Sequence, residues 1–123
     1  MTIAPERTDV RLELRVADEW FPVCELSALI PGRGVAALLP DGRQVAVFVD
    51  RTGTPYAVGN QDPFTGAYVL SRGLVGSADG RPFVASPLLK QRFDLATGRC
   101  LDDDEVTIEA YDVRTSVAPP ALR

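Results

Sequence analysis

Twice between Val35 and Val58 the chain passes from an apolar, β-prone run through a tight turn and directly into another such run. Pro40-Asp41-Gly42-Arg43 separates residues 35–39 from 44–49, and Asp50-Arg51-Thr52-Gly53 separates those from 54–58. An Asp-Gly step accepts positive φ at low cost, so the first is a strong hairpin signal, and the second supplies the next turn at once. The rhythm continues. Residues 68–70, 74–76, 82–85, 92–95, 99–101 and 106–113 are short strand candidates, divided by Ser71-Arg72-Gly73, by residues 77–81 and by Ala96-Thr97-Gly98. Trp20 to Cys24 suits another short strand, whereas residues 26–30 read as one helical turn ended by Pro31-Gly32. No helical pattern outlasts about two turns, so the expected fold is all-β, an antiparallel sandwich or small barrel.

At 123 residues the chain is one domain's worth, enough to bury roughly two-thirds of its unfolded surface around one core. Residues 1–12 lack a sustained apolar period and read as a flexible lead-in or a weak first strand, residues 13–117 as the folded domain, and 118–123 as a fraying tail. The hydrophobic and charged fractions, 46% and 24%, are those of a soluble globular protein. No apolar run approaches the roughly 18 residues of a membrane span, and the N-terminus lacks a basic segment followed by an apolar one. A cytoplasmic location is expected.

The formal net charge of −4 argues against nucleic acid or anionic lipid as partner. The chain has no histidine, which removes Ser-His-Asp and Cys-His nucleophilic machinery and every His-ligated zinc or haem site. Its two cysteines, Cys24 and Cys100, are expected to be reduced, mostly buried thiols. No spacing pairs the remaining carboxylates, tyrosines, cysteines and Lys90 into acid–base machinery.

Two stretches depart from ordinary turns. Asp62-Pro63-Phe64-Thr65-Gly66 follows Tyr56-Ala57-Val58, and Ser86-Pro87-Leu88-Leu89-Lys90-Gln91 precedes Arg92-Phe93-Asp94-Leu95 and the Thr97-Gly98 turn. This frame resembles the Rieske iron–sulfur domain, in which one loop carries Cys-x-His before a glycine and the other Cys-Pro-x-His before an Arg-Phe-Asp strand. The resemblance implies a Rieske-like domain with an inserted loop subdomain. It places Asp62 and Ser86 at the cysteine positions and Phe64 and Leu89 at the histidine positions. A Rieske [2Fe–2S] centre needs two thiolates and two imidazoles. Phenylalanine and leucine have no donor atom, and two hard oxygens suit neither a sulfide cluster nor a dedicated cation site. No catalytic residue, cofactor or metal is therefore expected on this chain.

The longer pattern, from Val45-Ala46-Val47-Phe48 through Asn60-Gln61-Asp62-Pro63-Phe64, Leu70-Ser71-Arg72-Gly73, Ala85-Ser86-Pro87 and Phe93-Asp94-Leu95, is similar to the small-subunit family of assimilatory NAD(P)H-dependent nitrite reductase. That resemblance implies a non-catalytic, cluster-free subunit partnered by a large subunit that bears flavin, siroheme and a [4Fe–4S] cluster and reduces nitrite to ammonium. The alternative is a free-standing Rieske-like interaction module for another redox enzyme. Pro63 and Pro87 would hold each loop in shape without metal. Phe64 and Leu89 either fill the volume of the missing ligands or, with Leu88 and Lys90, form an exposed tip that docks on the partner. Lys90, Gln91 and Arg92 read as solvated surface, the run Asp102-Asp103-Asp104-Glu105 as a solvated turn without calcium-loop spacing, and Trp20 as a core or edge aromatic. Arg72 is a candidate to bridge carboxylates such as Asp62.

Overall fold

The computed structural model describes residues 10–117, which form ten strands: β1 (Val10–Val16), β2 (Glu19–Glu25), β3 (Val35–Leu38), β4 (Gln44–Val49), β5 (Pro55–Gly59), β6 (Leu74–Ala78), β7 (Arg81–Ala85), β8 (Arg92–Asp94), β9 (Ala110–Tyr111) and β10 (Val113–Val117). Their orders are β10-β1-β2, β3-β4-β5-β9 and β6-β7-β8, and neighbouring strands run antiparallel. Two 3-10 turns, Leu26–Ala28 and Leu70–Arg72, complete the regular structure of the described residues.

β4 explains how the sheets stack. Val45 to Val49 are all buried, as a strand covered on both faces must be. Side chains alternate along a strand, so Val45, Val47 and Val49 pack with Leu12, Leu14, Leu29, Leu39 and Ala57. Ala46 and Phe48 face the other way and pack with Val58, Leu70, Val84, Phe93, Leu95 and Cys100. The middle sheet therefore separates two apolar clusters, one under β1 and β2 and one under β6 to β8. Each fully buried large side chain in them contributes roughly 1.5–3 kcal/mol. β5 and β9 are paired neighbours, so residues 60–109, with both special loops, are inserted between two adjacent strands of the middle sheet. The expected all-β fold with an inserted loop subdomain is the one observed.

Several local readings change. β1 starts at Val10 and buries Leu12, so the end of the stretch read as a flexible lead-in or a weak first strand is strand, because it pairs from Val10 to Leu14 with β10. The remaining lead-in, residues 1–9, and the tail 118–123 lie outside the described residues. Val117, the last residue of the expected domain, closes this ladder opposite Val10. The strand expected over 68–70 is instead an antiparallel bridge at Tyr68 followed by the 3-10 turn, since the Leu70 and Ser71 N–H groups are taken by Asn60. The strand expected over 106–113 is broken: Thr107 bridges Arg99, Ala110 and Tyr111 pair with β5, and Val113 begins pairing with β1. That stretch passes between sheets and has no single partner along its length. Trp20 lies at the sheet surface with the Arg114 guanidinium 4.4 Å from its ring centroid, and Arg114 Nε donates to the buried Glu13 at 2.7 Å. Cys24 is half-buried and Cys100 buried, both free, and they flank opposite clusters.

Candidate functional site

The two special loops have the same hydrogen-bond plan. In the first, the Asp62 N–H donates to the Ala67 carbonyl at 2.8 Å, the Gly66 N–H returns to the Asp62 carbonyl at 2.7 Å, and the Phe64 N–H donates to Asp62 Oδ1 at 2.8 Å. In the second, Ser86 N–H donates to the Gln91 carbonyl at 2.9 Å, Lys90 N–H to the Ser86 carbonyl at 3.1 Å, and Leu88 N–H to Ser86 Oγ at 3.3 Å. Both depend on a short side chain that accepts from the backbone two residues on, which Asp and Ser do well. The turn appears a third time at Asp94, where Asp94 N–H donates to Arg99 O, Gly98 N–H to Asp94 O, and Ala96 N–H to Asp94 Oδ1. The fifth residue has positive φ in all three: Gly66 at 80°, Gly98 at 79° and Lys90 at 70°.

The loops meet through their first side chains. Ser86 Oγ donates to Asp62 Oδ2 at 2.5 Å, and both residues are 0% exposed. Asn60 fixes the foot of the first loop: its Nδ2 donates to Gln44 Oε1 at 3.0 Å and its Oδ1 accepts from Ser71 N–H at 2.7 Å. Asp62 and Ser86 thus come together as the ligand frame implies, but they bond each other. Burial of these polar atoms is tolerable because each has its partner. Sequence reasoning missed this bond, and also Asn60, whose only sequence signal is an amide two residues before Asp62.

Phe64 and Leu89 part company. Phe64 is half-buried against the cluster under β6 to β8, its ring centroid 6.2 Å from that of Phe93 at 47°. Leu89 is 56% exposed, beside Leu88 at 49%. Of the two, Phe64 alone packs inward, whereas Leu88, Leu89 and Lys90 are exposed. Arg72 does not bridge Asp62: it is exposed on the 3-10 turn, and Asp62 is occupied by Ser86. Arg92 is not simply solvated, because its backbone N–H and guanidinium grip Asp102 at 2.8 Å, and this hydrogen bonding holds the Asp102 carboxyl below its usual range. Burial works against the charged form of Asp94, yet Arg81 at 2.7 Å and the N–H groups of Thr97 and Ala96 outweigh it and lower its pKa.

These donors do not fit a [2Fe–2S] centre. Two oxygens are engaged with each other, two positions have no donor atom, and the chain has no imidazole to substitute. Among the described residues no three Cys, Asp or Glu gather as a metal site. Two cavities of about 480 Å³ lie elsewhere, one lined by Arg81, Arg92, Asp94, Arg99 and Cys100 and one by Asp50, Thr52, Val75 and Pro82. No described helix is long and apolar enough to cross a membrane.

Three stacked antiparallel sheets with a two-loop insertion define a Rieske-type domain, and the Rieske-like [2Fe-2S] domain family matches residues 19–118. A nitrite reductase (NADH) small subunit from Salmonella typhimurium is 42% identical over 106 residues, covering 85% of this chain and 97% of that protein. A crystal structure of a proposed NADH-dependent nitrite reductase small subunit from Mycobacterium tuberculosis superposes with a TM-score of 0.72 at 42% identity, over 95% of this chain and 100% of that one. The chain belongs to the family of NADH nitrite reductase small subunits. A nitrite reductase [NAD(P)H] large subunit from Klebsiella oxytoca also contains a matching segment, 44% identical over 77% of this chain and 10% of its own length.

Proposed function

We propose that this chain is the cluster-free, non-catalytic small subunit of an NAD(P)H-dependent nitrite reductase, acting in the cytoplasm in nitrate assimilation. One observation carries the partnership: in Klebsiella oxytoca a large subunit contains the same domain within its own chain. Two separate proteins whose counterparts occur fused are natural partners. The cluster-free reading is supported by the donor chemistry at Asp62, Phe64, Ser86 and Leu89. Flavin, siroheme and a [4Fe–4S] cluster, with the reduction of nitrite to ammonium, then belong to the large subunit. The face offered to it is the loop end, where Leu88, Leu89 and Lys90 are exposed and Phe64 is packed inward.

Affinity capture of this chain from nitrate-grown cells tests the partnership. Recovery of a siroheme flavoprotein is the expected result, and recovery of a different redox enzyme would favour the free-standing interaction module instead. Iron and acid-labile sulfide are measured on the same purified chain. Stoichiometric amounts of both would overturn the cluster-free assignment.

A further inference from the structure

The loop end of the domain differs in charge from the rest. Residues 60–74 and 86–91 contain three charged side chains, Asp62, Arg72 and Lys90. Asp62 is sealed and hydrogen-bonded to Ser86, while Arg72 and Lys90 are exposed. On a chain of formal net charge −4, this end presents two cations and no exposed acid of its own. The acidic run 102–105 starts beside Arg92, whose backbone N–H and guanidinium hold Asp102, and Asp104 lines the cavity with Arg81, Thr97 and Arg99.

Contacts bring the cations to the same end. Ser71 N–H is bonded to Asn60 Oδ1 at the foot of the first loop, and the Gly73 backbone packs against the Ala85 carbonyl at the foot of the second. Arg72, between them, therefore sits on the bridge joining the two loops. Lys90 stands at the second loop's tip, its ammonium donating one of three protons to the Pro87 carbonyl at 3.3 Å. Around them are exposed apolar groups: Leu88 and Leu89 at the tip, Tyr68 paired with Gln61, and Leu74 paired with Ala85. Exposed apolar groups interleaved with cations are suited to a docking face, in which the charges mainly set partner choice and encounter rate.

We infer that this end recognises a surface of the nitrite reductase large subunit that carries acidic and apolar groups together, with Arg72 and Lys90 steering the encounter and Leu88 and Leu89 buried on arrival. The inference rests on the partnership proposed above. Steering by unlike charges raises association rates and fades as salt shortens the screening length.

The test measures association of the full chain with the purified large subunit by surface plasmon resonance, from low salt to about 0.5 M NaCl. The parent association rate is expected to fall about 10-fold or more over that range, and Arg72→Glu/Lys90→Glu to lower it by about 10-fold at low salt. Arg51→Glu makes the charge change of either single reversal, Arg72→Glu or Lys90→Glu, at the far end of β5 from the first loop; it is expected to leave the rate unaltered while each single reversal lowers it. Thermal melting of each variant verifies folding. Parent binding that ignores both salt and the double reversal would overturn the charged docking face and leave the partnership standing. Equal loss in Arg51→Glu would reduce the effect to net charge and also overturn it, whereas absence of parent binding removes the partnership itself.

Discussion

Ser86 and Asp62, 24 residues apart in sequence, share a hydrogen bond of 2.5 Å at the junction of two loops, with both side chains sealed from solvent. The bond is polar and fully satisfied: Ser86 Oγ also accepts from Leu88 N–H, and Asp62 Oδ1 accepts from Phe64 N–H. In effect one proton joins the loops that a metal cluster would otherwise tie together.

Removing the donor strands the acceptor. Ser86→Ala leaves Asp62 Oδ2 buried without its partner and is expected to cost about 1–3 kcal/mol. Asp62→Asn keeps an acceptor for Phe64 N–H and places an amide donor beside Ser86 Oγ, so its cost is expected to be smaller. Urea unfolding of the three proteins gives the comparison. Parental stability in Ser86→Ala would show that the bond does not hold the loops.

Phe64 and Leu89 occupy equivalent places in the resemblance but unequal places in the fold. Phe64→Ala removes a half-buried ring that meets Phe93 and is expected to cost about 2 kcal/mol, below the range for fully buried aromatics. Leu89→Ala is expected to stay within about 0.5 kcal/mol of the parent, as exposed substitutions do. Equal losses in thermal melting would contradict this division.

The thrice-used turn allows an internal comparison at its fifth residue. Lys90 has φ 70° where the other two copies have glycine, and an L side chain there carries strain of roughly 1 kcal/mol. Lys90→Gly is therefore expected to hold or gain stability by up to about 1 kcal/mol. Gly98→Ala is expected to lose far more, because its Cβ would run into the Ile108 carbonyl. A rise in denaturation midpoint for Gly98→Ala would refute the reading.

Acid should act through Asp94. Its carboxyl titrates lower in the fold than in the unfolded chain, so its stabilisation is complete above the unfolded pKa of about 3.9 and is withdrawn as pH falls through the lower folded value. Arg81→Leu removes the ion pair at 2.7 Å and raises the folded pKa. The variant is expected to be less stable near neutrality and to lose less stability between pH about 5 and about 2 than the parent. Urea midpoints across that interval test it, and two parallel profiles would rule it out.

Much of the architecture was legible because turns are local. Pro40-Asp41-Gly42-Arg43 and Asp50-Arg51-Thr52-Gly53 announce their hairpins within four residues, and both hairpins are present. Where a segment's partners are distant, local pattern misleads. Residues 106–113 alternate like one strand yet divide their pairing among different segments, and Arg11, Glu13 and Arg15 concealed β1 until Arg114, Trp20 and Asp18 supplied their settings. At the site, the loop frame and the missing ligand atoms were readable residue by residue. The Ser86–Asp62 bond was not, since nothing near either residue names the other.

That bond also bears on how the protein comes into being. A loop pair closed by a side-chain hydrogen bond is finished when the chain folds, with no wait for iron, sulfide or an assembly factor. On the cluster-free assignment proposed above, the abundance of the folded subunit is expected to be uncoupled from iron supply and from oxidants that dismantle clusters.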